Sequence, residues 1–158
     1  MKKSLVAYFS ASGITARLAK YLAKVIGADT FEIVPQRPYT PADLDWTNAQ
    51  SRSTLEMKDK TCRPALSGSM PDMSKYEVIF VGFPVWWYRE PSIIDTFIES
   101  CRFNGQTVVP FATSGGSGLG EAAKNIQTLA PQAVVKEGKL WSRGAADSEL
   151  KLWAQEYL

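Results

Sequence analysis

Three short segments of this 158-residue chain hold residue types that chemistry can use. The first is Ser10-Ala11-Ser12-Gly13-Ile14-Thr15, directly after the apolar run Leu5-Val6-Ala7-Tyr8-Phe9. Three hydroxyls and a glycine in a strand-to-helix turn bring O–H and backbone N–H donors to a helix N-terminus. That is a place for an anion, best matched by a phosphate. The turn has no lysine, arginine or acidic residue, so neutral dipoles would hold the anion. It lacks the Gly-Lys-Ser/Thr of a Walker loop and the GxGxxG of dinucleotide folds, which leaves a single phosphate monoester, as on a mononucleotide. The plainer alternative is that the serines merely cap the helix.

The second segment is Gly82-Phe83-Pro84-Val85-Trp86-Trp87-Tyr88-Arg89-Glu90-Pro91. Three adjacent aromatic residues between two prolines cannot all enter one core from a loop. At least one packs inward, and the others form a rigid exposed surface of the kind a flat apolar ligand covers. The third segment is Thr113-Ser114-Gly115-Gly116-Ser117-Gly118-Leu119-Gly120. Its glycines let the backbone approach a ligand closely, and its N–H groups suit the polar edge of a heterocycle.

The chain has no histidine. That removes Ser-His-Asp and Cys-His nucleophile systems and any histidine metal site. Cys62 and Cys101 are too far apart in sequence for a CxxC or zinc spacing and read as reduced packing thiols. No metal ligands and no catalytic side chains are assigned. A formal net charge of +2 is too small and too evenly spread for a nucleic-acid footprint. The longest apolar stretch, around Val78 to Trp87, is far short of the roughly 20 residues a membrane helix requires. Met1-Lys2-Lys3 is basic, but no cleavage-site pattern follows, so a cytoplasmic protein is expected, with neither nucleic acid nor membrane as partner.

The elements that position these segments follow from apolar periodicity. Leu5 to Phe9 reads as strand one. A helix follows with Ile14, Leu18, Leu22 and Val25 on one face and Gly27 as its stop. Phe31 to Val34 and Val78 to Val81 are strands two and three. A helix from Ser92 to Cys101 turns Ile93, Ile94, Phe97, Ile98 and Cys101 inward. Thr107 to Ala112 is strand four. A helix from Gly120 to Leu129 buries Ala122, Ala123, Ile126 and Leu129. Strand five lies near Ala133 to Val135, and Asp147 caps a last helix with Leu150, Trp153 and Tyr157 on one stripe. This alternation predicts one α/β domain over residues 1–158, a doubly wound parallel sheet between two helix layers. In such sheets ligands bind at the carboxyl ends of the strands, where the three segments fall. Residues 35–76 interrupt the rhythm. They read as an irregular cover, helix-like from Ala42 to Lys58, in which Tyr39 and Trp46 are candidates to line a pocket.

A phosphate cup, an aromatic wall and a glycine rim on one sheet edge suit a phosphorylated planar heterocycle such as flavin mononucleotide (FMN). Ser10-Ala11-Ser12-Gly13-Ile14-Thr15 resembles the phosphate loop of flavodoxins, with hydroxyls at the matching first, third and sixth places. Residues 83–91 resemble the flavin loop of short flavodoxin-like proteins and that of NAD(P)H quinone reductases. Thr113-Ser114-Gly115-Gly116 is similar to the second flavin loop of both groups. The likeness spans nearly the whole chain and implies five strands in the order 2-1-3-4-5, with FMN as cofactor. On this reading Ser10, Ser12 and Thr15, with Ala11 and the N–H groups of Gly13, Ile14, Thr15 and Ala16, bind the phosphate. Trp86, or else Trp87, stacks on the ring, with Pro84 and Tyr88 beside it. Backbone groups of Val85, Thr113, Ser114, Gly115 and Gly116 meet its polar edge.

Two departures bear on function. Electron-carrier flavodoxins are typically strongly acidic, whereas this chain is slightly basic. They also often carry a tyrosine in the second flavin loop, where this chain has only serine and glycine, which leaves one ring face open. The leading expectation is an electron-transfer flavoprotein. An alternative is an NAD(P)H-dependent reductase of quinones or similar small acceptors, and a third is a flavodoxin-like domain with no redox work. Expected partners are redox proteins or a small-molecule acceptor. Apolar stacking and a phosphate held without cations imply a low flavin potential; Arg89 is the nearest candidate cation, and its direction is left open.

Overall fold

The computed structural model describes residues 2–114, 118–141 and 146–158. Six strands and five α-helices follow along it, with a 3-10 turn at Met73–Lys75: β1 (Ser4–Tyr8), α1 (Ile14–Ile26), β2 (Asp29–Glu32), α2 (Arg52–Lys58), β3 (Val78–Pro84), α3 (Ser92–Ser100), β4 (Thr107–Thr113), α4 (Ala122–Leu129), β5 (Val134–Val135), β6 (Lys139–Trp141) and α5 (Asp147–Gln155). All ladders are parallel, and the order is β2-β1-β3-β4-β5, with β6 also paired to β4. This is the flavodoxin-like order expected.

Side-chain alternation divides the core. Leu5, Ala7, Ile79, Val81, Phe83, Val108 and Ala112 face α3 and α4, where Ile94, Phe97, Ala122 and Ile126 meet them. Val6, Tyr8, Phe80, Val109 and Phe111 face α1 and α5, meeting Ala19, Leu22, Ala23, Leu150 and Trp153. The central strands are thus covered on both sides, which explains their unbroken apolar runs.

The fifth sheet position is filled twice, because Pro110 has no N–H. Val134 donates to Gln106 O and Lys136 to Val108 O, so the next group on that side of β4 belongs to Pro110. The neighbouring strand breaks there and resumes as β6 opposite Phe111, Ala112 and Thr113. Gly138 forms the break at φ 79°, and a Cβ on it would lie 2.0 Å from Pro110 O. β6 went unread because three residues after a glycine show no period.

Four other expectations are corrected. α1 buries Thr15, Ala19, Leu22, Ala23 and Ile26, whereas Ile14 is exposed and Leu18 and Val25 are half-buried. Small alanines pack against the sheet, and the larger aliphatics flank them. β2 starts and ends two residues earlier than expected, at Asp29–Glu32, and leaves Val34 exposed. Ala42 to Lys58 is helical only over Arg52–Lys58; before it, turns are closed by Asp and Thr side chains, with Thr40 N–H on Asp43 and Asp43 N–H on Thr40. These local bonds compete with a helix. Asp147 is the first residue of α5 rather than its cap, which is Ala146.

Candidate functional site

The carboxyl ends of β1, β3 and β4 bring the three segments to one edge. After β1 the chain turns through Gly13, at φ 93°, into α1. Ser10 Oγ accepts the Gly13 N–H at 3.0 Å, which leaves the Ser10 O–H to donate outward. Ser12 is exposed. The N–H groups of Ile14, Thr15 and Ala16 belong to the first helical turn, where α1 supplies no acceptor of its own. That turn has no acidic residue to compete for them.

Thr15 is buried. Its Oγ1 lies 2.7 Å from Thr113 Oγ1 at the end of β4. One hydroxyl donates to the other, and the acceptor keeps its own O–H for a ligand. Thr113 O in turn accepts the Val85 N–H at 3.0 Å. Thr113 therefore ties the hydroxyl turn to the aromatic loop. It also takes the Val85 N–H, so only the carbonyl of Val85 is left for a ring edge. Ser114 is half-buried beyond Thr113. The expected contributions of Gly115 and Gly116 lie outside the described residues.

The aromatic loop is a tight hairpin. Trp86 N–H donates to Arg89 O at 3.1 Å, and Arg89 N–H to Trp86 O at 3.2 Å. Trp87 and Tyr88 between them sit at φ 48° and 62°, the left-handed pattern of a type I′ turn that normally takes Asn and Gly. The two residues are 43 % and 66 % exposed. Gly120 seats the tip: Glu121 N–H bonds Tyr88 O at 3.2 Å, and a Cβ at Gly120 would lie 1.9 Å from that oxygen.

Trp86 is half-buried and edge-on to Phe9 at 5.8 Å and to Tyr39 at 5.5 Å, with Pro84 and Val85 half-buried before it. Tyr39 reaches this cluster from the cover segment, as expected. Its phenol donates to Glu56 at 2.5 Å, and Arg52 stacks 3.8 Å over its ring. Burial and the Glu56 bond push the Tyr39 hydroxyl well above the usual tyrosine range. Trp46 is 74 % exposed and makes no ring contact with the cluster among the described residues, so the pocket role expected for it is not seen.

Arg89 is not a cation at the rim. Its guanidinium is buried, donating to Met57 O at 3.1 Å and to Asp95 at 3.5 Å. Sequence reasoning missed this inward cluster of Arg89, Glu90 and Asp95. Its only signal was two charged residues directly before the proline that opens an apolar helix.

Sheet order and rim together define the flavodoxin-like class. The flavodoxin family profile matches residues 3–157, and the chain belongs to that family. A protein from Bacteroides eggerthii DSM 20697, provisionally assigned as a flavoprotein, is similar at 45% identity over 99% of this chain and 98% of its own, with a TM-score of 0.92. Another provisional flavoprotein, from Bacteroides uniformis ATCC 8492, is 47% identical over 98% of both chains, with a TM-score of 0.91. A flavoprotein from Lactobacillus acidophilus NCFM, solved in complex with FMN, shares the fold at 22% identity and a TM-score of 0.74, over 98% of this chain and 99% of its own. A search of curated proteins gives no match. No helix among the described residues is long and apolar enough to cross a membrane.

Proposed function

We propose that this chain is an FMN-binding redox protein, with Ser10, Ser12 and the start of α1 on the phosphate and the Trp86–Arg89 hairpin beside the ring. The observation that carries this reading is the Thr113 junction. It draws a cation-free donor cup and an aromatic hairpin to one sheet edge. The donor set fits the group: a helix N-terminus, serine hydroxyls and no competing carboxylate suit a phosphate, while Trp86, Trp87 and Tyr88 suit a flat ring.

Bound there, FMN would supply the electron chemistry. The chain's part is to hold and orient. The α1 dipole and Ser10 fix the phosphate end. The hairpin fixes the ring end, and its aromatic faces keep water from it. No side chain is needed as acid or base, which agrees with the absence of histidine. Arg89 turns inward, so the aromatic wall brings no guanidinium to the ring, consistent with a low potential.

The partner we favour is a redox protein that gives or takes electrons at the exposed tip of Trp87 and Tyr88. A second reading, reduction of a small acceptor by NAD(P)H, is favoured by Tyr39, which brings the cover segment against Trp86. Purified protein should release one FMN per chain on denaturation; FAD, or no flavin, would sink the assignment. Stopped-flow mixing separates the two readings. Rapid bleaching by NADH or NADPH indicates the reductase. Bleaching by a reduced protein donor alone indicates the carrier.

A further inference from the structure

We propose that Arg89, Glu90 and Asp95 form a buried anchor that positions the aromatic hairpin, and that the two carboxyls do so while sharing one proton. The anchor concerns the hairpin itself; its effect on flavin rests on the FMN reading above.

All three residues are buried, Glu90 completely. Arg89 Nη1 lies 3.5 Å from Asp95 Oδ2 and 3.8 Å from Glu90 Oε2. Nη1 also reaches Glu90 O at 3.3 Å, and Nη2 reaches Met57 O at the end of α2. Glu90 Oε1 accepts from Asn125 of α4 at 3.1 Å. One residue thus links the hairpin, the cover helix α2 and, through its neighbours, α3 and α4. The same residue closes the hairpin with its backbone N–H and C=O. Left-handed Trp87 and Tyr88 persist only where surrounding structure over-determines them, and this cluster supplies that constraint.

The proton follows from the oxygens. Glu90 Oε2 and Asp95 Oδ1 are buried, and neither has a hydrogen-bond donor among the described residues. Both carboxyls sit against the same Arg89 Nη1, which holds them side by side. Two buried carboxylates this close cannot both ionise cheaply, and one proton between them supplies the missing bond. The other charges facing the pair are Arg63, 3.8 Å from Asp95 and paired with Glu99 of α3, and Lys60, paired with Glu121 at the mouth. Arg89 and Arg63 thus face one remaining negative charge. A cavity of about 140 Å³, lined by Lys60, Arg63, Asn125 and Thr128, opens onto the pair and gives the proton a route to water. Burial, with the neighbouring carboxyl, pushes Glu90 up to about 9.

The test titrates the full-length chain without flavin, read by near-UV circular dichroism of its tryptophans, with far-UV signal as the fold control. FMN affinity is measured in parallel by fluorescence quenching. In the wild type the near-UV signal should change with a midpoint near 9 at constant far-UV signal. FMN affinity should fall by about tenfold per pH unit above it, the slope of one lost proton. Glu90→Gln, which keeps a neutral side chain at every pH, should flatten both profiles. A wild-type near-UV signal that does not change, or changes identically in Glu90→Gln, overturns the anchor. Infrared difference spectra of the wild type need no variant: absence of a protonated-carboxyl stretch at neutral pH overturns the shared proton. If FMN binds at no pH, the FMN reading fails, and the dichroism still judges the anchor.

Discussion

Trp87 and Tyr88 hold backbone angles that neither side chain favours, at a cost of about 1–3 kcal/mol each. Strain of this kind at an exposed rim is tolerated when the side chains it displays have a task. Replacing them with the residues the turn prefers, Trp87→Asn with Tyr88→Gly, should raise the urea midpoint and weaken FMN in the same protein. A gain in stability with unchanged affinity would show that the tip does not face the flavin. Two of the three phosphate hydroxyls, Ser12 and Thr15, separate in a complementary way. Ser12 is exposed, so Ser12→Ala should leave stability alone and weaken FMN but not riboflavin, by about 1.5–3 kcal/mol for a hydrogen bond to a charged group. Thr15 is buried against Thr113. Thr15→Ala should therefore weaken FMN and also lower stability by about 1–3 kcal/mol, because the Thr113 hydroxyl loses its buried partner. Equal weakening of FMN and riboflavin by Ser12→Ala would remove the phosphate from this turn.

At the scale of elements, the break between β5 and β6 rests on one missing N–H and one glycine. Gly138→Ala would put a Cβ at φ 79° and 2.0 Å from Pro110 O, so the strand break must shift. Urea unfolding should show a loss of about 1–3 kcal/mol or more from backbone strain alone. An unchanged midpoint would mean that the break tolerates a side chain. The same region shows what sequence pattern carries and what it does not. Val78 to Val81 and Thr107 to Ala112 were legible because strands covered on both faces read as continuous apolar runs. The three rim segments were legible because each follows a strand end. The inward face of α1 was misread because it is built from Thr15, Ala19 and Ala23, small residues that hydropathy underweights against Ile14 and Leu18. Trp86 was legible as an aromatic anchor, but the left-handed turn after it was not, since nothing in Trp-Tyr announces a type I′ geometry. The Arg89–Glu90–Asp95 cluster was hidden because its partners, Met57 and Asn125, lie more than thirty residues away on either side.

For the whole molecule, pH acts at two places with opposite sign. Asp43, Asp45, Asp59 and Asp72 all lie in the cover segment and accept bonds from nearby Thr or Ser groups, which hold their carboxyls below the usual aspartate value of 3.8. Each contributes stability present above that value and lost as pH falls through its folded pKa. Asp45, Asp59 and Asp72 are exposed and Asp43 is half-buried, so acid should loosen the cover gently. Glu90 acts the other way. Burial raises it from 4.5 to about 9, and burial raises Asp95 too. Above 4.5 the unfolded chain gives up the Glu90 proton while the folded chain keeps it. Stability is therefore full below the unfolded value and declines progressively until the folded group ionises. Urea midpoints measured across pH should peak in the mildly acid range and fall steadily toward pH 9. Glu90→Gln needs no proton, so its decline should be shallower, with any remainder belonging to Asp95. The acid limb, which belongs to the cover segment, should be the same in both proteins. A wild-type midpoint that is flat from pH 5 to 9, or a Glu90→Gln profile that falls as steeply, would mean that Glu90 folds already ionised, with its charge matched by Arg89 and Arg63.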